Sequence, residues 1–151
     1  MPQSLSQIYV HLTFSTKLRR PFLRDRGICD ALYGYLIGTC VNLGCPSKKI
    51  NGWEDHIYIP CSLNKTMSVS ELVREIKRSS SDWIKDQSKS LPDFYWQAGY
   101  GAFSVSQSHV ETIQNYIANQ AEHHRTETFQ DEFRRLCVKY GVELDERYAW
   151  D

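Results

Sequence analysis

Residues 48–61, Lys48-Lys49-Ile50-Asn51-Gly52-Trp53-Glu54-Asp55-His56-Ile57-Tyr58-Ile59-Pro60-Cys61, read as two short strands joined by a turn at Glu54-Asp55. Aromatic and β-branched side chains recur in both halves, as a pleated and partly buried surface requires. Alternate side chains of a strand point to the same face, so His56 and Tyr58 project together from the second strand. This hairpin is the middle of the fold. Before it, Asp25 to Asn42 carries Ile28, Leu32, Tyr35, Leu36 and Thr39 at helical spacing, and Leu43-Gly44-Cys45-Pro46 supplies the stop. Earlier still, Ile8-Tyr9-Val10-His11-Leu12-Thr13-Phe14-Ser15 reads as a strand running into a basic loop, Lys17-Leu18-Arg19-Arg20-Pro21. After the hairpin, Ser68-Val69-Ser70-Glu71 is a capping box. The helix it opens turns Leu72, Val73, Ile76, Trp83 and Ile84 inward, and Arg74, Lys77, Arg78 and Lys85 largely outward. Pro92 closes that region, and Gly101-Ala102-Phe103-Ser104-Val105-Ser106 offers a fourth strand.

The order is βαββαβ, which predicts an α+β, ferredoxin-like fold: an antiparallel sheet with two helices on one face. Two additional C-terminal helices follow. One opens at a second capping box, Ser108-His109-Val110-Glu111, and runs to about His123. The other is capped by Thr128 and Asp131 and ends near Tyr140-Gly141. No repeat or linker interrupts the chain, so residues 1–151 read as a single domain.

Composition agrees. A chain of 151 residues, 41% hydrophobic and 24% charged, can bury one core and has no disordered signature. No apolar stretch approaches the roughly 20 residues of a membrane helix. The start Met1-Pro2-Gln3-Ser4-Leu5-Ser6-Gln7 lacks the basic residue and apolar run of a signal peptide, which predicts a cytoplasmic protein. The cysteines at 29, 40, 45, 61 and 137 are odd in number and widely spaced. They fit neither a disulfide framework nor a zinc knuckle and read as reduced, mostly buried thiols. Net charge is zero, but residues 1–90 hold thirteen Lys/Arg against eight Asp/Glu and residues 91–151 hold five against ten. That asymmetry permits a basic face despite the neutral sum.

Within the first extra helix, Ile113, Tyr116, Ile117 and Gln120 share one face. Tyr116 and Gln120 are therefore one turn apart. Spacing alone favours a packed tyrosine beside a glutamine at the core's edge; the sharper reading is a nucleophile beside a metal ligand. For His56, a hydrogen-bonded structural histidine competes with a ligand that needs a second donor nearby.

Four segments together carry a resemblance: Ser4 to Lys17; Gly52-Trp53-Glu54-Asp55-His56; Trp96-Gln97-Ala98-Gly99-Tyr100-Gly101-Ala102-Phe103-Ser104-Val105-Ser106; and Tyr116-Ile117-Ala118-Asn119-Gln120-Ala121-Glu122-His123-His124. In order and spacing they resemble the tyrosine HUH transposases of small single-strand insertion sequences, including REP-associated tyrosine transposases. The resemblance implies a His-hydrophobic-His motif on a central strand and a glutamine on the tyrosine's helix, together holding one divalent ion, Mg²⁺ or Mn²⁺. It makes His56 the first motif histidine, Gln120 the third ligand and Tyr116 the nucleophile. The implied reaction is attack on single-stranded or hairpin DNA, giving a 5′-phosphotyrosine and a free 3′-hydroxyl, then strand transfer. A homodimer is implied as well.

The sequence departs from this pattern at one place, because Tyr58 stands where the second motif histidine belongs. A neutral phenol is a far poorer ligand for a hard cation than imidazole or carboxylate. Asp55, Glu122, His123 or His124 are candidate replacements. The alternative is a catalytically impaired, transposase-derived DNA-binding protein. Phosphate contacts are expected from Lys17, Arg19, Arg20, Lys48 and Lys49, with Arg24 and Arg26 nearby; solvated surface charge is the competing reading. Phe94, Tyr95, Trp96 and Tyr100 read either as base-stacking groups or, more simply, as core. A ferredoxin-like small-molecule regulatory domain has no phosphate loop or ligand motif in its favour.

Overall fold

A computed structural model describes residues 3–119 and 126–151. Its elements are β1 (Tyr9–Ser15), α1 (Arg26–Asn42), β2 (Asn51–Trp53), β3 (His56–Ser62), α2 (Val69–Gln87), β4 (Gly101–Val105), α3 (Val110–Ala118) and α4 (Phe129–Lys139), with single 3₁₀ turns at Lys17–Arg19 and Gln107–His109. All strand pairs are antiparallel and the sheet order is β2-β3-β1-β4. This is the expected ferredoxin-like arrangement, with the hairpin forming one side of the sheet.

Period-2 alternation sorts the strands between two cores. Val10, Leu12 and Phe14 of β1 and Ile57, Ile59 and Cys61 of β3 pack under α1 and α2. Each such buried aliphatic or aromatic side chain stabilises the fold by roughly 1.5–3 kcal/mol. The alternate residues, His11, Thr13 and Ser15 of β1 with His56 and Tyr58 of β3, are equally buried on the other face. That face is covered by α3 and α4, where Tyr58 and Phe103 meet Ile113, Ile117, Phe129, Phe133, Leu136 and Cys137. Gly101 permits the close approach of α4: a Cβ there would lie 2.7 Å from Phe133 Cε2. Because both faces are covered, both helical pairs are needed to bury the sheet.

Helix α1 presents Cys29, Leu32, Tyr33, Leu36 and Cys40 inward, a stripe rotated from the expected one. Tyr35 instead stacks on Trp83 of α2, with ring centroids 5.1 Å apart. Asp25 caps α1 by accepting from the amides of Gly27 and Ile28. Ser68 caps α2 and Thr128 caps α4 as expected, each accepting from the amide three residues on. The Ser108 capping box does not form. The Ser108 and Ser106 hydroxyls both bond to His109 Nδ1, and a 3₁₀ turn leads into α3 instead. Residues 120–123, the expected end of that helix, lie outside the described residues.

Lys77 also departs from its expected outward position. Its ammonium donates to the carbonyls of Gln97, Ala98 and Gly99 at 2.8, 3.3 and 2.7 Å, and burial pulls its pKa down to about 8. The aromatic cluster divides: Phe94 and Trp96 are core, whereas Tyr95 and Tyr100 are exposed. All five cysteines are free and buried. Among the described residues no helix is long and apolar enough to cross a membrane.

Candidate functional site

The turn at Glu54-Asp55 sets His56 at the first position of β3, opposite Ser15. Asp55 Oδ1 lies 2.6 Å from His56 Nδ1, which fixes the ring's orientation. The ring is fully buried. Phe129 of α4 covers it at 4.8 Å between centroids, and Tyr58 meets it edge-on at 5.3 Å. Tyr58 is fully buried too, and its hydroxyl makes no hydrogen bond to any described residue. Its ring lies 5.2 Å from that of His11. Both His11 nitrogens and the Thr13 hydroxyl likewise lack hydrogen-bond partners among the described residues. Burial and the nearby Lys139 lower the His11 pKa to about 4, so His11 is neutral. His11 stands four positions along β1 from Ser15, the residue paired with His56, and the Tyr58 ring meets both imidazoles, at 5.2 Å from His11 and 5.3 Å from His56.

Tyr116 is half-buried on α3, which Ile113 and Ile117 anchor to the second core. Asn51 Nδ2 donates to the carbonyls of Ile117 and Ala118 at 2.9 and 3.3 Å, fastening the end of this helix to β2 opposite Tyr58. The Tyr116 hydroxyl donates to Glu132 Oε2 of α4. Arg135 Nη2 donates to the same hydroxyl at 2.7 Å and stands 3.7 Å from Glu132 Oε2. Glu127 holds the same guanidinium, accepting from Arg135 Nη2 and Nε at 2.9 and 3.2 Å. Burial raises the Tyr116 pKa, Arg135 opposes it and Glu127 adds to it. Burial pushes the Glu132 carboxyl up to about 7 against the pull of Arg135. A nucleophile candidate thus meets a carboxyl and a guanidinium at one oxygen.

Neither Glu132 nor Arg135 was among the sequence candidates. A signal was present: the buried stripe of α4 runs Phe129, Glu132, Phe133, Leu136 and Cys137, so a carboxylate interrupts an otherwise apolar face. The C-terminal segment closes the same region. Trp150 packs on Phe129 and Phe133 and lies under the guanidiniums of Arg134 and Arg19 at 5.2 and 5.9 Å. The Ala98 amide donates to the Asp151 carbonyl at 2.8 Å.

A family model for IS200-like transposases matches residues 4–120. The chain belongs to the IS200-like transposase family. The match includes His56, Tyr58, Tyr116 and Gln120, whereas α4, with Glu132 and Arg135, lies beyond it. Two solved structures share the fold. One, a Deinococcus radiodurans R1 protein assigned as a transposase, is 20% identical at a TM-score of 0.61, covering 80% of this chain and 95% of that one. The other, a REP-associated tyrosine transposase bound to a REP hairpin, is 14% identical at a TM-score of 0.58, covering 82% of this chain and 72% of that one. No curated protein matches the chain.

Gln120 and the replacement candidates Glu122, His123 and His124 lie outside the described residues. Among the described residues no group of three His, Cys, Asp or Glu side chains is placed to hold a metal ion. Among the described residues His56 brings one imidazole to the motif and Tyr58 a neutral phenol, a poorer ligand than the oxygen donors that Mg²⁺ or Mn²⁺ takes in near-octahedral array.

The expected DNA contacts separate into two groups. Lys17 and Arg20 are exposed on the loop after β1, whose Thr16 amide bonds to the Asp55 carbonyl at 2.8 Å beside His56. Arg19 is turned onto Trp150. Lys48 and Lys49 are exposed as well but precede β2 at the far end of the hairpin. Arg24 and Arg26 pair with Glu54 and Asp30.

Proposed function

We propose that this IS200-like transposase cuts and rejoins single-stranded DNA with Tyr116 as its nucleophile. The observation that supports this most directly is the setting of Tyr116: a half-buried phenol within the family match, its hydroxyl held by a carboxyl and a guanidinium. The phenolic oxygen attacks a backbone phosphorus, forming a 5′-phosphotyrosine as the bond to the 3′-oxygen breaks. Reversal by another 3′-hydroxyl rejoins the strand, and the phosphotyrosine conserves the bond energy between the two steps. The hairpin bound by the REP-associated neighbour makes hairpin DNA the substrate to try first. Lys17 and Arg20, on the loop beside His56, are the proposed phosphate contacts. The homodimer belongs to the same proposal, and a monomeric mass with and without DNA refutes it.

The test is incubation with a panel of labelled single-stranded hairpins and Mn²⁺, resolved on a denaturing gel. A covalent protein–DNA band that Tyr116→Phe abolishes is the expected result; a band that survives that change overturns the nucleophile. Tyr58, a buried phenol where the motif has imidazole, favours a second reading, a DNA-binding protein without cleavage. Tight hairpin binding with no adduct on any DNA of the panel selects that reading.

A further inference from the structure

Phenols ionise near pH 10 and are weak nucleophiles until a base takes the proton. In this chain the Tyr116 hydroxyl already points its proton at a carboxylate: it donates to Glu132 Oε2, and Glu132 is fully buried. A carboxylate in an apolar stripe is costly to bury, and fastening α3 to α4 would not require one. The guanidinium adds a direction. Arg135 Nη2 lies 2.7 Å from the Tyr116 oxygen but 3.7 Å from Glu132 Oε2, so positive charge sits closer to the phenol than to the carboxylate. Moving the proton from Tyr116 to Glu132 creates no new charge in the buried site. It carries the existing negative charge toward the guanidinium.

We infer that Glu132 is the general base that deprotonates Tyr116 and that Arg135 holds the phenolate as it forms. This role rests on the strand-cleavage reading above and adds the destination of the proton. In the step, the Tyr116 proton passes to Glu132 Oε2 and an oxygen lone pair forms the bond to phosphorus. The electron pair of the breaking bond leaves on the 3′-oxygen, which takes a proton from water. In the reverse reaction Glu132 returns its proton to the departing Tyr116 oxygen. Both residues lie on α4, outside the stretch that matches the family model, so activation is supplied by the chain's own C-terminal helix. Among the described residues, the charged and titratable groups around Glu132 include Tyr116 from α3, Arg135 from its own helix and Glu127 through Arg135. His56 of β3 lies under Phe129, one turn earlier on α4.

The test is the rate of adduct formation from pH 5.5 to 9 for the wild type, Glu132→Gln and Tyr116→Phe, with melting curves for each. With a carboxyl whose pKa is raised to about 7, the wild-type rate climbs with pH and levels off near neutrality. Glu132→Gln is expected to slow adduct formation by about 10²-fold or more and to lose the plateau, its residual rate still rising at pH 9. A folded Glu132→Gln that keeps the wild-type rate and profile overturns the base while leaving strand cleavage intact. Absence of adduct in the wild type refutes strand cleavage and the base with it. Should Glu132→Gln fail to fold, the wild-type profile decides: a plateau near neutrality supports the base, and a rate rising unbroken to pH 9 overturns it.

Discussion

Gly52 offers a test of how tightly the hairpin carrying His56 is built. It pairs with Ile57 across the β2–β3 ladder. A Cβ at this position would lie 2.3 Å from the His56 carbonyl oxygen and 3.0 Å from Ile57 Cα. Both atoms are backbone, so neither can swing aside, and the strands must part by about an ångström. Overpacking of this kind costs about 1–3 kcal/mol, and a lost ladder hydrogen bond adds about 1 kcal/mol. Gly52→Ala should therefore destabilise by about 3 kcal/mol, lowering Tm by roughly 6–12 °C for a chain of this length. The control is the same chemical change at Gly34, exposed in α1, where an added Cβ meets nothing within 4 Å. There alanine raises helix propensity and restricts the unfolded chain, so Tm should rise by roughly 1–4 °C. Thermal melts by circular dichroism read both. Equal Tm shifts for the two variants, or a stabilised Gly52→Ala, would refute the close-approach reasoning.

Two buried groups should give opposite pH dependences. His11 has a folded pKa near 4 against 6.5, so the unfolded chain binds its proton first and stability is lost as pH falls from 6.5 to 4. Glu132 is raised from 4.5 to about 7, so the folded chain binds the proton first and stability is lost as pH rises across that window. Each contribution is about 3 kcal/mol and they largely offset, so urea melts of His11→Phe should retain only the loss on raising pH, and those of Glu132→Gln only the loss on acidification. Tyr58→His adds a second imidazole on the face of His56, at a packing cost of about 1–3 kcal/mol; calorimetry should show Mn²⁺ binding at least about tenfold tighter, and an unchanged affinity would count against a metal role for this strand. Replacing Lys17 and Arg20 together by glutamine should reduce the salt slope of single-strand binding by about 1.4, whereas the same change at Lys48 and Lys49 should leave the slope of contacts near His56 unaltered; equal effects would mean that the far end of the hairpin also binds.

Local patterns in the sequence were sufficient for the scaffold. The hairpin, the Ser68 and Thr128 caps and the βαββαβ order depend on residues within a few positions of one another, and the structure has them. Helix α1 misled because its inward stripe uses Cys29 and Cys40, small residues that pattern reading weighs lightly, while Tyr35 found a partner on another helix. The Ser108 box failed for a similar reason, its hydroxyl being taken by His109. At the site, the family resemblance pointed to His56 and Tyr116, which the structure sets on β3 and α3. Glu132 was not legible, because its partner is sixteen residues away and only packing brings them together. The burial of His56 beneath Phe129 was equally hidden, since nothing near residue 56 announces a cover from residue 129.

The two faces of the sheet are sealed at different times during synthesis. Strand β4 completes the sheet at Val105, and α1 and α2, which cover one face, have been made by then. The opposite face, with His11, His56 and Tyr58, waits for α3 and α4. The ribosome adds about 5–20 residues per second, so the stretch from Val105 to Trp150 takes on the order of 2–9 s. For that interval a nascent sheet exposes aromatic surface and two histidines that the finished protein buries. A polypeptide halted there by a stalled message or a nonsense codon would present an open, sticky platform to chaperones and to neighbouring chains, and would lack the helix that holds its tyrosine.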